Sequence, residues 1–582
     1  MPDEKIKITP AKGRPMLNWV GKRPLDYVKG FPPQLIEVFD PLNTGRKVDI
    51  PTYDELKDNW QNLLFHGDNK EVLATLLELG FRAKIDLIYI DPPFKSGADY
   101  VRKVELRGLK DLGRIDEDSA SVLQQTMYFD IWNNDNYLQF MYERLLLLKE
   151  LLSETGSIYV HLDWHVGHYV KLLMDEVFGE GSCQREIIWD LGNPSGYKSL
   201  AENWIRGHDT ILFYTKGNNF TFNKLYIPYS KEDLGKYPEK ENRKGLSITD
   251  VWKDIDPAQK WGKGKIEHTG FDTEKPEALL ERIIKASSNP CDLVLDCFIG
   301  SGTTARVAQK LGRRWIGCDI NKGAVYLTSR ELQKIILEQI NNNETKYPSF
   351  AIYKVNNYDL KLLQTEAIEL AVQHIGIQRI RTDRFFDGTL GKNLVKIIDF
   401  NHPLTLLDLQ LIQDELKKRP NEDRDITIVC LGKELAVDPW IDEWNKKHPV
   451  NKISIIELKT DKKYGSFLIH KPAEAKVKIE RKSNKAFIKI EDFISPTIIE
   501  RLNIDSKLYK VKITDFRSMI DCVLIDSNYD GNTFRVVFSD VPKKKSDLIE
   551  GEYEIEISKE KIKIAVKIID MLGEEVLIVK EI

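Results

Sequence analysis

Ile85-Asp86-Leu87-Ile88-Tyr89-Ile90-Asp91-Pro92-Pro93-Phe94 is the stretch on which the reading of this chain turns. Its first six residues form an apolar run of the length of a buried strand. An acid, two prolines and an aromatic then stand at that strand's C-terminal end. In open α/β sheets this edge is where ligands bind. The prolines fix the local backbone and offer carbonyl acceptors without competing N–H donors. Asp91 can accept a hydrogen bond from an amino group, and Phe94 can stack on a flat ring. A bare Pro-Pro pair would signal only a strand stop and a turn. The flanking carboxylate and aromatic argue for more than that.

Outward from this stretch, strand and helix alternate. Leu63 to Asp68 reads as a short strand ending in an acid, and Glu71 to Leu79 as a helix. Tyr137 to Leu152 is a long amphipathic helix, Ser157 to His161 a strand, and Tyr169 to Phe178 another helix. The pattern resumes with a helix over Pro276 to Ser287 and strands over Asp292 to Asp296 and Arg314 to Asp319. This alternation predicts an α/β fold with a doubly wound, mostly parallel sheet over residues 61–345. Within it, residues 185–270 lose the alternation. They hold Gly192-Asn193-Pro194-Ser195-Gly196 and the aromatics Trp189, Tyr197, Trp204, Trp252 and Trp261, interspersed with Lys and Arg. This reads as an inserted recognition region. Its aromatics suit stacking on bases or wedging between them, and a small satellite core suits them equally well.

Residues 1–60 are turn-rich and read as an extension wrapping the first domain. Asn341-Asn342-Asn343-Glu344 marks a linker. Residues 350–470 read as a small α/β region, with Asp425–Leu431 and Ile453–Leu458 flanking a helix. Residues 471–582 read as a β-rich domain of short alternating strands, such as Lys476 to Glu480 and Phe534 to Phe538. No catalytic constellation is visible beyond residue 350. An interaction or DNA-clamping role is therefore expected there, with a structural brace for the first domain as the alternative.

At 582 residues the chain is too long for a single core. Apolar content of 42% and charged content of 30% are those of a soluble globular protein. A net charge of −4 gives no global basic signature, so any nucleic-acid surface must be a local patch. The six cysteines form no C-x-x-C pair and read as free thiols in a reducing compartment. Met1-Pro2-Asp3-Glu4-Lys5 begins no apolar signal segment, and no stretch is long and apolar enough to span a bilayer. A cytoplasmic protein with no membrane partner is the expectation.

A second motif lies at Leu293-Val294-Leu295-Asp296-Cys297-Phe298-Ile299-Gly300-Ser301-Gly302-Thr303-Thr304-Ala305. It reads as a strand, a tight glycine turn and a helix start. Asp319 ends the next strand, where an acid can take a ribose diol. Alone, such a turn does not separate a nicotinamide cofactor from S-adenosylmethionine. A carboxylate at Asp296 suits a methionine ammonium better than a pyrophosphate, and Asp91 to Phe94 already supply an amino-group site.

With both motifs in place, the chain resembles the permuted β group of amino-group DNA methyltransferases, which includes the modification subunits of type III restriction systems. In that group a D-P-P-Y/F motif precedes the recognition region and an F-x-G-x-G motif follows it, the order seen here. Thr273-Glu274-Lys275-Pro276 resembles the group's T-Q-K-P helix entry, and His66-Gly67-Asp68 its short G-D motif. Glu274 stands where glutamine is usual and Cys297 where proline is usual. The match runs from about Asn62 to Arg330.

The resemblance implies a Rossmann-like methyltransferase domain using S-adenosylmethionine. It implies that Asp91, Pro92, Pro93 and Phe94 are catalytic. Asp68, Lys275, Asp296, Phe298, Gly300, Ser301, Gly302, Thr303 and Asp319 are then the cofactor contacts, with Asp68 at the adenosine end. It further implies double-stranded DNA as substrate in a restriction-modification or phage-defence setting. A restriction or helicase subunit and a second copy of the chain are the other partner candidates. An acid at position 91 leans towards adenine N6, since the group's cytosine-N4 members usually carry serine there; cytosine N4 is the alternative. A non-catalytic DNA-recognition subunit would have lost Asp91 or the glycine turn, and a dinucleotide oxidoreductase leaves the Asp91 motif without a purpose. His161, His165 and His168 fall at helical spacing, but no further ligand completes a zinc site, and no metal is expected.

Overall fold

The structure is a computed structural model that describes residues 6–11, 16–93, 99–107, 122–129, 134–192, 204–229, 244–257, 274–355, 368, 372, 375–379, 383, 385–398, 403–434, 436–458, 472–499, 515–542, 547–557 and 561–582. Phe94, Tyr197, Trp261 and Lys543 to Lys545 lie outside these residues. The chain divides into two compact units, Met1–Asn356 with Ala473–Ile582, and Asn357–Pro472.

The first unit is built on an eleven-stranded sheet. Its order is Val251–Trp252, Cys183–Asp190, His208–Thr215, Leu152–Leu162, Ile85–Ile90, Leu293–Asp296, Arg314–Asp319, Asn62–His66, Phe350–Lys354, Gln34–Phe39 and Phe534–Val536. The six strands from Leu152–Leu162 to Phe350–Lys354 are parallel. They are apolar on both faces because helices cover both. Ile88 and Ile90 pack on one side with Leu145 and Leu148 of the helix Asn134–Leu151. Leu87 and Tyr89 pack on the other with Ile283 and Ile284 of the helix Glu277–Ser287.

The chain leaves Ile85–Ile90 towards Leu152–Leu162 on one side, and leaves Leu293–Asp296 towards Arg314–Asp319 on the other. These two strands are neighbours, with Leu295 opposite Ile88. Their C-terminal ends therefore flank a topological switch point, where such sheets open a crevice.

Two expectations are corrected. The regular sheet does not end where the recognition insert was expected to begin. Cys183–Asp190 and His208–Thr215 form an antiparallel pair that extends the main sheet. Their alternation places Ile187, Trp189, Ile211 and Phe213 in the core. Trp189 and Trp252 are buried at 3% and 6% exposure, whereas Trp204 is 99% exposed. Among the described residues, then, the aromatics divide between core and surface.

Nor do residues 473–582 stand apart from the first domain. Phe534–Val536 pairs in parallel with Gln34–Phe39 as the outermost strand of the main sheet. The expected strand over Phe534 to Phe538 is split at Val537, because Phe538–Asp540 turns to pair with Ile520–Asp526 in a four-stranded sheet. A three-stranded sheet of Glu474–Lys482, Lys485–Ile494 and Glu552–Glu556 packs with that sheet around Ile479, Ile488, Ile520, Val523 and Ile568. The N-terminal segment wraps as expected, with the Leu17 N–H donating to Glu176 at 3.1 Å and the Arg23 N–H to Gln139 at 3.0 Å.

The second unit carries a five-stranded sheet, ordered Gln378–Arg379, Gly388–Leu390, Asn393–Ile397, Ile426–Cys430 and Ile453–Glu457. The last three strands are parallel. Helices Leu406–Lys417 and Val437–Lys447 cross between them, the first opened by a Thr405–Asp408 capping box. No helix among the described residues is long and apolar enough to cross a membrane. All six cysteines are free thiols.

Candidate active site

Asp91 follows directly on the strand Ile85–Ile90, and Asp296 ends the neighbouring strand. The register sets Asp296 beside Tyr89, so the two acids end neighbouring strands, with Asp91 two residues further out. Asp91 Oδ2 accepts a hydrogen bond from Lys275 Nζ. Asp91 Oδ1 is buried and has no hydrogen-bond partner among the described residues. A buried carboxylate oxygen left in this state is costly, and a native site tolerates it where a ligand's donor is to be received. Pro92 is buried beside it and Pro93 half-buried.

Lys275, expected among the cofactor contacts, lies at the Asp91 carboxylate. Its neighbour explains the first departure from the family pattern. Glu274 pairs with Arg306 at 2.6 Å, and both side chains are nearly fully buried. A glutamine would leave that guanidinium only the longer, half-exposed pair with Glu277 at 3.7 Å, so the acid fits this chain's own partner. Cys297, the second departure, is a buried thiol whose pKa burial drives well up. Its main-chain carbonyl accepts from Asn69 Nδ2 at 3.2 Å, so the turn is held without a proline.

The glycine turn is as tight as the spacing implied. Gly300 and Gly302 have φ of 50° and 83°, the left-handed region. A Cβ on Gly302 would meet Thr328 Oγ1 at 2.7 Å. Thr328 Oγ1 donates to the Gly300 carbonyl at 3.0 Å, and the Gly300 N–H donates to Asp319 Oδ2 at 3.0 Å. The helix Thr303–Lys310 starts directly after the turn. Ser301 and Thr303 hydroxyls lie 3.3 Å apart, and Thr303 Oγ1 also accepts from Arg306 at 3.1 Å.

Asp296 accepts from Thr304 Oγ1 at 2.6 Å and from the Phe298 N–H at 2.9 Å. Burial nonetheless raises its pKa to about 7, with the Asp91 and Asp319 charges adding to the rise. Burial also raises Asp319, against the pull of the Asn321 and Gly300 N–H groups. Three carboxylates crowded at one crevice are better suited to a cationic ligand than to a pyrophosphate. Asp296 for an ammonium, Asp319 for a diol and the open backbone at Gly300 to Thr303 fit S-adenosylmethionine. Each carboxylate has acceptor sites beyond those its internal donors occupy.

Asp68 caps the helix Asn69–Glu78, accepting from the Lys70 N–H at 2.8 Å. It also pairs with Arg144 Nη2 at 3.0 Å. The Arg144 guanidinium lies 3.5 Å from the Phe140 ring centroid, and the Phe140 ring lies 6.0 Å from that of Phe298. Phe298 is thus tied through Phe140 and Arg144 to Asp68. Sequence reasoning missed Phe140 and Arg144, which sit in an unremarkable amphipathic helix.

It also missed the polar chain beneath Asp91. Tyr89 Oη lies 2.9 Å from His161 Nδ1, and His161 Nε2 lies 3.3 Å from Asp209 Oδ2. Burial, reinforced by the Lys275 charge, lowers the His161 pKa to about 3, so the ring is neutral. Tyr89 shares a strand face with Asp91, two residues on, and the period-2 rule would have found it. Strand pairing, invisible in sequence, brings in His161 and Asp209. His165 pairs with Asp163 at 2.6 Å, and no group of three His, Cys, Asp or Glu suited to a metal ion occurs among the described residues.

Comparison with known proteins agrees with this geometry. A family model described as DNA methylase matches residues 85–330. The Type II methyltransferase M1.MboII of Moraxella bovis is 33% identical over 252 residues, covering 41% of this chain and 85% of that protein. The Type II methyltransferase M.HpaI of Haemophilus parainfluenzae is 31% identical over 255 residues, covering 43% and 68%. The StyLTI Mod subunit, from a Type III restriction-modification enzyme of Salmonella typhimurium, is 28% identical over 349 residues, covering 45% and 53%; this chain spans about half of that relative's length. The chain belongs to the N6/N4 DNA methylase family.

Proposed function

We propose that the chain methylates the N6 amino group of adenine in double-stranded DNA, with S-adenosylmethionine as donor, as the modification component of a restriction-modification system. The observation that carries this reading is the buried, unsatisfied Asp91 Oδ1 at the switch-point crevice beside Asp296. An exocyclic amino group supplies the missing donor. Its lone pair is delocalised into the ring, which makes it a poor nucleophile. Asp91 Oδ1 and the Pro92 carbonyl accept its two hydrogens and draw the nitrogen towards a tetrahedral shape. Lys275 holds the far oxygen of the same carboxylate. Asp91 is also the nearest acceptor for the proton that the nitrogen sheds. Phe94 is assigned the face of the base.

Asp296 and Asp319, with the turn from Phe298 to Thr303, would hold S-adenosylmethionine, which when bound supplies an electrophilic methyl group. The protein's share is positioning and fixed electrostatics, with no covalent enzyme intermediate. A base inside a duplex is out of reach, so the target is flipped out. Free thiols suit a reducing, cytoplasmic setting. A restriction subunit or a second copy of the chain is the expected partner.

Modification-dependent sequencing of DNA from a host expressing the chain tests this directly. N6-methyladenine in one sequence context is expected, and its absence with the Asp91→Ala variant. N4-methylcytosine in its place would replace the adenine reading with its alternative.

A further inference from the structure

Trp164 is 64% exposed, and Trp204, two residues before the Arg206 that meets its turn, is 99% exposed. Core packing does not explain indoles left in water, and exposed apolar side chains that gather on one surface mark interaction sites. Nor is the turn at Trp164 slack. Asp163 is almost fully buried. Its Oδ1 accepts from the His165 N–H at 2.9 Å, and its Oδ2 lies 2.6 Å from His165 Nδ1. Arg206 Nη1 lies 3.6 Å from the same oxygen, and Arg206 also binds Asp209. The Trp164 ring stacks on His165 at a centroid distance of 3.9 Å. The indole is therefore presented on a fixed support.

Its position gives the exposure a purpose. Ile90 stands opposite Val160 in the adjacent parallel strand, which sets Asp91 level with His161. Trp164 follows three residues later, beyond the strand end at Leu162. Three residues reach at most roughly 10 Å, and the turn shortens that, so it stands within this distance outside the catalytic carboxylate, one strand over, at the C-terminal edge of the same sheet. A base that reaches Asp91 from a duplex leaves a gap in the stack at about that remove.

We propose that Trp164 occupies the place vacated by the target base, so that the surface around Trp164 and Arg206 is the docking face for double-stranded DNA. The proposal rests on the base-methylation reading above. Stacking of the indole against the flanking base pairs offsets the cost of extrusion, while Arg206, paired with Asp163 and Asp209, holds the turn that carries it.

The test separates this role from a structural one. The base that the wild-type chain modifies is first identified by mass spectrometry of digested product DNA. Two duplexes are then compared, one with that base paired and one with it facing an abasic site, where extrusion costs less. Trp164→Ala is expected to lower the single-turnover methylation rate on the paired duplex by about tenfold or more. The rate on the abasic duplex should stay within about threefold of wild type. Trp164→Phe should keep most of the paired-duplex rate, and S-adenosylmethionine affinity should be unchanged in both variants. Equal losses on the two duplexes, or no loss on either, overturn the proposal. If the wild type modifies cytosine N4, only the adenine assignment falls and the comparison stands. If it modifies no base, the methylation reading and this proposal fall together.

Discussion

Asp521 holds Arg330 by both carboxylate oxygens: Arg330 Nη1 donates to Oδ1 at 2.8 Å and to Oδ2 at 2.6 Å. Arg107 Nη2 donates to the same Oδ1 at 2.5 Å, and Tyr326 Oη to Oδ2 at 2.9 Å. Arg330 lies on the helix Lys322–Asn341, which also carries Thr328 behind the glycine turn. Arg107 lies just past the strand Asp99–Glu105, the first described segment after the Asp91 motif. One buried acid in the C-terminal part of the chain therefore ties the helix behind the glycine turn to the segment that follows the Asp91 motif.

Removing that acid takes from Arg107 and Arg330 a buried carboxylate they share, and leaves Arg330 its pair with Glu331 at 2.7 Å. Asp521→Asn should cost on the order of 3–5 kcal/mol of stability, measured by chemical denaturation. A loss below about 1 kcal/mol would mean that Glu331 and solvent suffice for the two guanidiniums. A chain ending at Asn343 should fare worse. It lacks Asp521, the inner strand Phe350–Lys354 and the outer strand Phe534–Val536. It is expected to be insoluble or unable to bind S-adenosylmethionine; that outcome would favour the brace reading of residues 473–582, and a soluble fragment that keeps its cofactor would favour the interaction reading.

Lys275 separates two roles that sequence could not. As a cofactor contact, its loss would weaken S-adenosylmethionine binding. As the partner of Asp91 Oδ2, its loss would leave binding intact and slow the methyl-transfer step. Lys275→Met is expected to lower the single-turnover rate by on the order of 10–100-fold, with the cofactor Kd changed by less than about threefold. The reverse pattern would return Lys275 to the cofactor site.

Much of this was legible in the sequence because local rules carried it. Asp91 and Asp296 were found as acids ending apolar runs, and Gly300 and Gly302 as a turn that only glycine adopts easily. Their adjacency followed from the topology of open sheets. What failed was everything that depends on pairing between distant strands. Cys183–Asp190 and His208–Thr215 lack a βαβ signature because they pair antiparallel with each other, and His208–Thr215 with Leu152–Leu162, so their alternation was read as irregularity. Phe534–Val536 is three residues long, and nothing local says that its partner lies some five hundred residues earlier, in Gln34–Phe39. Trp164 went unread for a different reason: exposure is not a property of sequence.

Gly302 allows a sharper test of the turn than activity does. Its φ of 83° and the 2.7 Å approach of Thr328 Oγ1 to an added Cβ both oppose any side chain. Gly302→Ala should lose roughly 1–2 kcal/mol to backbone strain alone. It should also push Thr328 away from the Gly300 carbonyl and weaken S-adenosylmethionine binding by at least about tenfold. Calorimetric affinity equal to wild type would show that the turn does not approach the cofactor.

The last prediction follows from Asp296. Burial raises its pKa from 3.8 to about 7, and the nearby Asp91 and Asp319 charges add to the rise. A carboxyl raised in the folded state contributes stability that is fully present below its unfolded value. That contribution is lost as pH rises through the folded value, so the free protein should be less stable above pH 7 than Asp296 allows at lower pH. An ammonium brought against Asp296 has the opposite preference, since it favours the ionised acid. Binding of S-adenosylmethionine should therefore release a proton below pH 7 and tighten as pH rises, by up to about tenfold per unit well below that value. Calorimetry in buffers of different ionisation enthalpy, from about pH 5.5 to 7.5, counts the protons directly. Asp296→Asn should abolish both the proton release and the slope while leaving a weaker, pH-independent affinity. Wild-type affinity that is flat over this range, with no proton exchanged, would mean that the cofactor's ammonium is held elsewhere.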